Sequence, residues 1–283
     1  MTAVRIAFSL LLGTAPAVFA DDALRQALTF HAGFDGGTDA GFALGDKQIY
    51  SAASYKAQDE AVAGLGGTDV VRVPGQGRYG DALKFPTKNT KAVFYKAPRN
   101  VAFDARNWSG TLSFWLKLDP DKDLAPGYCD PIQVTDKAYN DSAIWVDYSK
   151  DDVPRHFRLG VFGALKSWNP DNLQGEENPA FSGRLVKVTR PPFRADRWTH
   201  VAIVYHQLGS GDGRARLYLD GALAGEARGI REPFAWDLPR AAIRLGLSYT
   251  GLFDELAVFR RPLTDEEIGR LRALPGGAAS LYK

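Results

Sequence analysis

The chain has 283 residues, with 35 lysine and arginine residues against 33 aspartate and glutamate residues. Because these charges are scattered along the chain, they argue against nucleic acid and against an anionic membrane surface as partners. The single cysteine, Cys129, excludes an internal disulfide, so burial of a large apolar core has to hold the fold together.

The first twenty residues have the pattern of an export signal. A short segment carrying Arg5 precedes an apolar run, and small residues stand at the positions that a signal peptidase recognises. The apolar run is too short for a membrane span, and a buried core helix is the alternative interpretation. We therefore expect residues 1–20 to be a signal peptide, Asp21 to begin the exported protein, and residues 21–283 to form a single domain.

Short runs in which apolar and polar residues alternate recur through the rest of the chain. They include LTFHAGF, DVVRV, AVFYKA, GTLSFWLKL, SAIWVDY, FRLGVFG, THVAIVYH, ARLYLDG and LFDELAVF. These runs are rich in Val, Leu and aromatic residues and are separated by Gly, Pro or Asp, which is typical of strands. Strands at this spacing, without helices between them, predict antiparallel sheets packed as a sandwich. Residues 35–68 and 163–182 lack the pattern and are expected to be long irregular loops.

One helix is predicted, and it lies near the C-terminus. Thr264 is a candidate N-cap, and Glu267 three residues later completes a capping box. Ile268 and Leu271 then recur on one face, and Pro275 together with the following glycine ends the helix. We expect a helix of one or two turns that packs these two side chains against the sandwich.

Local chemistry assigns structural roles to several other polar residues. Asp220 and Gly221 stand between two strands, which predicts a tight hairpin turn with positive φ. His31 and His200 lie on strands between apolar neighbours, without an acid or nucleophile beside them in the sequence. We therefore expect both histidines to be structural rather than catalytic.

The segment WVDYSKDDVPRHFRLGVFG, residues 145–163, predicts a strand, a polar turn and a second strand. Folding it about its central DD pair sets Asp147 opposite His156 and Trp145 opposite Arg158. These four side chains then share one face, where the indole offers a platform for a sugar ring and the polar groups suit its hydroxyls. The alternative is an ordinary solvent-facing sheet, in which such cross-strand pairs contribute about 0.2–1 kcal/mol each.

Polar and aromatic residues on either side of this hairpin are candidates for the rim of a binding site. They are Tyr139, Asn140 and Asp141 upstream, and Trp168, Asn169, Asp171 and Asn172 downstream. In an enzyme, Asp147 and His156 would serve as acid and base, and Arg158 would neutralise a uronate or sulfate. No nucleophile motif occurs, and we expect Asp254 and Glu255 on opposite faces of their strand, so the sequence favours binding over hydrolysis.

Five segments follow one another in a characteristic order: RYGDALKF (78–85), GTLSFWLKLDP (110–120), DRWTHVAIVYH (196–206), RARLYLDGALAGEARG (214–229) and GLFDELAVFRRPLTDEEI (251–268). Together they resemble the laminin-G-like, concanavalin A-like jelly roll domains of secreted bacterial proteins. The resemblance implies an all-β fold, an antiparallel two-sheet jelly roll sandwich with a short C-terminal helix. It implies function only broadly, because this fold carries lectins, adhesion modules, glycosidases and polysaccharide lyases.

The resemblance also implies a structural calcium ion. In related jelly roll domains, one carboxylate near the first strand and one near the last strand hold calcium. Asp35 and Asp254 occupy the matching positions here, and backbone carbonyl groups would complete the six to eight oxygen ligands. The alternative is that Asp254 caps or salt-bridges the end of its strand.

We therefore expect an exported, monomeric protein of the periplasm or the extracellular space, not inserted into a membrane. Its expected role is that of a non-catalytic module that binds a glycan or a cell-surface polysaccharide. A polysaccharide-active glycosidase or lyase built around Asp147 and His156 is one alternative, and a structural surface protein without a ligand is another.

Overall fold

The computed structural model describes residues 15–173, 175 and 178–283. In chain order, these residues form α1 Ala15–Ala27, β1 Leu28–Ala32, β2 Phe42–Ala43, β3 Ile49–Ala52, β4 Val62–Ala63, β5 Val71–Val73, β6 Ala82–Phe85, β7 Ala92–Lys96, β8 Trp108–Lys117, α2 Pro120–Asp123, β9 Cys129–Thr135, β10 Ala143–Tyr148, β11 Phe157–Phe162, α3 Leu165–Trp168, α4 Pro179–Ser182, β12 Leu185–Val188, β13 Thr199–Leu208, β14 Gly213–Leu219, β15 Ala222–Ile230, β16 Ala242–Leu247, β17 Gly251–Phe259 and α5 Asp265–Ala273. Short 3₁₀ segments occupy Tyr55–Glu60, Leu238–Arg240 and Gly277–Leu281.

The strands pair into two antiparallel sheets that pack face to face. The nine-stranded sheet has the order β15-β14-β13-β8-β17-β1-β2, with β6 paired to β17 and β5 paired to β6. The eight-stranded sheet has the order β12-β11-β10-β9-β16-β7-β3-β4. Alternate side chains of both sheets point inward and form the main apolar core between them. The predicted all-β, two-sheet jelly roll is confirmed.

Helix α5 begins at the predicted capping box. The Glu267 N–H donates to Thr264 Oγ1 at 3.2 Å, and the Thr264 N–H donates to Glu267 Oε2 at 2.9 Å. Ile268 and Leu271 are buried in a second apolar cluster, on the outer face of the nine-stranded sheet, that also contains Leu24 of α1. The predicted C-terminal helix and its buried face are therefore confirmed.

Two of the predicted structural roles are also found. Asp220 and Gly221 join β14 to β15 with φ values of 51° and 84°, as a tight hairpin turn requires. His200 is buried, and its Nε2 lies 2.9 Å from the Ser113 hydroxyl. Burial lowers the pKa of His200 to about 3, so its imidazole stays neutral in the sheet.

The prediction that residues 35–68 and 163–182 lack regular structure was wrong. The first range contains β2, β3 and β4, and the second contains α3 and α4. Each of these elements is two to four residues long, which is too short for a sequence period to be recognised. Tertiary pairing, rather than local pattern, sets such short strands.

The predicted signal peptide falls largely outside the described residues, since residues 1–14 are not among them. Helix α1 runs through the expected cleavage point, and Leu24 and Ala27 beyond it are buried. Removal of residues 1–20 stays a prediction. Over the part of the chain that the structure describes, no helix has both the length and the apolar character needed to cross a membrane.

Candidate functional site

Strands β10 and β11 form the predicted hairpin in a different register. Asp147 pairs with Arg158, and Trp145 pairs with Gly160. The predicted pairing of Asp147 with His156 and of Trp145 with Arg158 was therefore wrong by two residues, because the turn is centred one residue later than assumed. A shift of two residues keeps every side chain on its own face, so Trp145, Asp147 and Arg158 still share the outer face of the eight-stranded sheet.

A cavity of about 300 Å³ lies on this outer face, and we call it the aromatic cavity. It is lined by Tyr128, Asp130, Gln133, Tyr139, Trp145, Asp147, Arg158, Gly175, Phe181, Leu247 and Ser248. Neighbouring strands β9, β10 and β11 supply its polar groups, while the flanking loops and α4 supply most of its aromatic rings. Aromatic surface combined with a few convergent polar groups is typical of small-molecule sites.

Trp145 forms an inner wall of the aromatic cavity rather than an exposed platform. Only 2% of the residue is exposed, and its Nε1–H donates to the Tyr139 carbonyl at 2.7 Å. The indole stacks near Phe162 and Phe181, with ring centroids 5.9 and 6.4 Å away. It lies directly over Gly160 on β11, where a Cβ atom would clash with the ring. The absence of a side chain at position 160 therefore allows the indole its orientation.

A buried ion pair crosses the middle of the hairpin. Arg158 Nε donates to Asp147 Oδ1 at 2.8 Å, and Arg158 Nη2 donates to Asp147 Oδ2 at 2.5 Å. The guanidinium also lies 4.7 Å from the centre of the Tyr128 ring. Two parallel charge-assisted hydrogen bonds fix both side chains and balance the charge of Arg158 within the protein.

A β-bulge in β9 brings a second carboxyl group to the same face. Val146 pairs with Ile132, but two residues later Tyr148 pairs with Cys129, so β9 has one extra residue at this point. The extra residue turns Asp130 toward the outer face, where it lines the aromatic cavity.

Asp130 and Asp147 differ in their electrostatic surroundings. Burial raises the pKa of Asp130 well above its ordinary value, and the nearby Asp147 carboxylate raises it further, while Arg158 acts in the opposite direction. Gln133 Nε2 donates to Asp130 Oδ2 at 3.2 Å. Asp130 is therefore favoured in its protonated form, whereas Asp147 is held in an ion pair. One carboxyl group that can donate a proton thus lies beside one that accepts hydrogen bonds.

His156 does not join Asp147. Its Nδ1 lies 3.1 Å from Asp152 Oδ2 within the turn, and the hairpin register places it beyond the end of β11. His156 is also not a lining residue of the aromatic cavity. The acid–base pair that the sequence suggested for an enzyme is therefore not assembled.

Most of the predicted rim residues make hydrogen bonds that hold α3 and the residues just after it in place. Trp168 Nε1–H donates to the Asn140 carbonyl at 2.9 Å, and Asp141 Oδ1 accepts from the first N–H of α3 at 3.1 Å. The buried Asn169 amide bonds to the backbone four residues later. Tyr139 alone among the predicted rim residues lines the aromatic cavity, and it is 42% exposed. Asp171 and Asn172 are exposed on the segment that follows α3.

Sequence reasoning missed Asp130 and Gln133 in the floor of the aromatic cavity, and Tyr128 and Phe181 in its walls. Reading IQVT as a strand would have placed Gln133 beside Trp145, with which it pairs. Asp130 could not be found by alternation, because the bulge shifts it out of phase with Gln133.

The two predicted calcium ligands meet the same loop, residues 77–81. Asp254 Oδ2 accepts from the N–H groups of Arg78 and Tyr79 at 2.7 and 3.3 Å. Asp35 Oδ1 accepts from the N–H of Asp81 at 2.9 Å. Both carboxyl groups thus hold the loop through backbone amides.

A calcium shell needs six to eight oxygen ligands, so backbone carbonyl groups would have to join these two carboxyl groups. Burial raises the pKa of Asp254 to about 9. Within residues 15–173, 175 and 178–283, no three His, Cys, Asp or Glu residues are grouped so as to hold a metal ion. Calcium binding stays a prediction, and a lower melting temperature in the presence of a chelator would support it.

The expectation that Asp254 and Glu255 lie on opposite faces was wrong. The register of β17 against β8 shifts between Asp254 and Ala257, and Glu255 has a φ of 55°. This bulge turns both acidic side chains to the outer face of the nine-stranded sheet, since Leu256 still points into the core.

Comparison with protein families gives one match. The family model described as the concanavalin A-like lectin/glucanases superfamily matches residues 89–269, which is more than half of the chain. No curated protein sequence matches the chain.

Solved structures share the fold at low sequence identity. Domain 4 of AbnA, a GH43 extracellular arabinanase from Geobacillus stearothermophilus, in complex with arabinotriose, is 14% identical with a TM-score of 0.53; the match covers 86% of this chain and 97% of that one. A botulinum neurotoxin type C structure, described with an interaction with two ganglioside molecules, is 11% identical with a TM-score of 0.58; it covers 92% of this chain and 53% of that one. Trypanosoma rangeli sialidase in complex with sialic acid is 14% identical with a TM-score of 0.50, and the match covers 87% of this chain and 33% of that one.

Proposed function

The chain belongs to the concanavalin A-like lectin/glucanases superfamily, as its sequence motifs suggested, and from this premise we propose that it is an exported, non-catalytic carbohydrate-binding module. The proposed partner is a glycan or a cell-surface polysaccharide, and the proposed site is the aromatic cavity. The observation that carries the proposal is that one cavity of about 300 Å³ combines aromatic rings with polar side chains fixed on adjacent strands.

Three proteins of the same fold support a glycan as the partner. The arabinanase domain was solved with arabinotriose, the neurotoxin interacts with gangliosides, and the sialidase was solved with sialic acid. This chain spans about half of the neurotoxin chain and a third of the sialidase chain, so their whole activities are not carried over. The site itself is argued from the side chains of this chain.

The aromatic cavity offers both kinds of contact that a sugar ring needs. Tyr139 and Tyr128 stand at accessible positions of its wall and can pack against the apolar face of a pyranose or furanose. Asp130, Gln133 and Asp147 can exchange hydrogen bonds with ring hydroxyls. The charge of Asp147 balances that of Arg158, and Asp130 is favoured in its neutral form. The polar groups of the cavity therefore suit an uncharged sugar ring.

A glycan array followed by calorimetry on the best ligand tests the proposal. Tyr139→Ala should weaken binding roughly tenfold, since an aromatic contact of about 1.4 kcal/mol is lost. Asp130→Asn should also weaken binding, because it replaces the carboxyl group in the cavity floor with an amide and so changes the hydrogen bonds offered to the sugar. Trp198→Ala is the matched control, because Trp198 is a half-buried aromatic residue outside the cavity. Wild-type affinity in both cavity variants would overturn the site, and a protein that binds no glycan would favour a structural surface role.

A polysaccharide-active enzyme is the second candidate, and the Asp130–Asp147 arrangement is the observation that favours it. Asp130 would be the general acid, a role that needs a raised pKa, and Asp147 would be the second carboxylate. Release of reducing ends from a bound polymer would replace binding with catalysis as the function. Asp130→Asn should then abolish turnover.

A further inference from the structure

A second cavity lies on the same outer face of the eight-stranded sheet, and we call it the arginine cavity. It has a volume of about 460 Å³ and is lined by Tyr55, Lys56, Asp136, Lys137, Asp237, Arg240 and Arg244. Arg244 on β16 pairs with Gln133 on β9, and Gln133 lines the aromatic cavity. The two cavities are therefore neighbours across one strand pair.

Arg244 is a buried cation whose hydrogen-bond acceptors are neutral. It is 5% exposed, and its Nη1 donates to Gln133 Oε1 at 3.1 Å and to the Lys137 carbonyl at 3.0 Å. Its Nη2 donates to Gln58 Oε1 at 3.2 Å, while its Nε is buried without a hydrogen-bond partner. Among the described residues, no carboxylate forms a salt bridge with Arg244. A buried charge left in this state is costly, which indicates that an anion from outside the chain completes the site.

Other side chains hold the guanidinium in place and make the cavity cationic. The guanidinium lies 4.7 Å from the centre of the Tyr55 ring. Lys56, Lys137 and Arg240 add three further cations to the lining, which holds only two carboxylates. Burial lowers the pKa of Arg244 below its ordinary value, although Tyr55 and Asp136 act in the opposite direction, so a bound anion would recover part of the lost solvation.

Of the two carboxylates of the lining, Asp136 is already engaged. Asp136 lies 3.1 Å from Lys137 Nζ and also accepts from the Asp237 N–H at 2.8 Å. Arg240 is half-exposed at the rim, 3.2 Å from Asp59 outside the lining. Among the described cations of the lining, Arg244 is the buried one, and no carboxylate forms a salt bridge with it.

We propose that the arginine cavity binds an oxyanion, the carboxylate of a uronic acid or the sulfate of a sulfated sugar, with Arg244 as its main charged donor. Guanidinium groups bind planar and tetrahedral oxyanions through charge-assisted hydrogen bonds. The inference rests on the proposed glycan-binding function and makes it more specific. The ligand would be an acidic oligosaccharide, with a neutral unit in the aromatic cavity and its acidic neighbour beside Arg244.

Calorimetry with three oligosaccharides of one backbone tests the proposal: a neutral form, a uronate form and a sulfated form. At least one acidic form should bind roughly tenfold more tightly than the neutral form, and added salt should reduce this advantage. Lys56→Ala and Arg240→Ala should also reduce it, and both are exposed positions where the fold should be kept. Arg194→Ala is the control, because Arg194 is an exposed arginine outside the arginine cavity.

A second measurement does not depend on glycan binding. Sodium sulfate and sodium glucuronate, each compared with sodium chloride at equal ionic strength, should shift the assigned Arg244 Nε–H resonance. If the resonance does not shift and acidic and neutral oligosaccharides bind equally, the oxyanion site is overturned while glycan binding stands. If no glycan binds but the anions shift the resonance, the oxyanion site stands and the proposed function fails. An acidic advantage that survives in both rim variants also overturns the proposal.

Discussion

Each sheet of the sandwich buries charged side chains on its outer face, but of the described residues only those on the eight-stranded sheet line a cavity that a ligand could enter. On the eight-stranded sheet, Asp130, Asp147 and Arg158 line the aromatic cavity. On the nine-stranded sheet, the residues in the comparable outward position are His31 and Glu255, and both are 3% exposed or less. Other parts of the chain cover this second group.

The cover on the nine-stranded sheet comes from the C-terminal segment. Glu255 Oε2 accepts from the Ala278 N–H at 2.8 Å, and Glu255 Oε1 lies 3.2 Å from His31 Nε2. His31 Nδ1 lies 2.8 Å from the Tyr282 hydroxyl. The carboxylate and the imidazole therefore meet groups of the same chain, which leaves them in a structural role.

Buried charge alone therefore does not identify a binding site. A carboxylate–imidazole pair has the residue types of a catalytic site, but its partners here are backbone and side-chain groups packed over it. The Asp147–Arg158 pair lacks the imidazole that the Glu255–His31 pair has, and yet it lines the aromatic cavity. Access for a ligand distinguishes the two faces.

Glu255→Ala should give the largest loss of stability. It removes the acceptor of the Ala278 N–H and the partner of His31, and it leaves a cavity, so we expect the free energy of unfolding to fall by about 3–5 kcal/mol. Chemical denaturation measures this. Glycan affinity of the folded fraction should be unchanged, and a large loss of affinity would break the distinction between the two faces.

Asp147→Ala is the matched change on the eight-stranded sheet. Water can enter the aromatic cavity and solvate Arg158, so the loss of stability should be smaller, about 1–3 kcal/mol. Glycan binding should be lost in this variant. Equal losses of stability in the two variants, with binding kept in both, would show that Asp147 has a structural role like that of Glu255.

Gly160→Ala should disturb the aromatic cavity through one methyl group. The added Cβ meets the Trp145 indole, so the ring has to move, at a cost of about 1–3 kcal/mol. Glycan affinity should fall together with stability. Gly37→Ala is the control, because a Cβ at Gly37 meets no atom within 4 Å. Unchanged affinity in Gly160→Ala would show that the indole position does not matter for binding.

Asp254 should make the stability of the protein depend on pH. Its pKa is about 9 in the folded protein against an ordinary 3.8, so the protonated carboxyl group stabilises the fold. This contribution is complete below pH 3.8 and is lost as the pH rises toward 9. In denaturation experiments the wild type should therefore lose stability with rising pH relative to Asp254→Asn, which carries no titrating group at this position. A wild type that gains stability relative to Asp254→Asn over this window would contradict the assignment.

The fold could be predicted from sequence more completely than the site. Strand alternation, the capping box at Thr264 and the Asp220–Gly221 turn are local signals, and the structure contains all three. Three of the four hairpin residues also reached the cavity, because a register error of two keeps each side chain on its face. Asp130 and Glu255 could not be placed, because each sits at a β-bulge that depends on pairing with a distant strand.

A structure of the protein bound to its best oligosaccharide from the array shows directly whether the aromatic cavity is the glycan site. We predict that a sugar ring lies in the aromatic cavity, in contact with Tyr139 and hydrogen-bonded to Asp130 or Asp147. A ligand bound instead on the nine-stranded sheet, or at the loop of residues 77–81, would contradict the account.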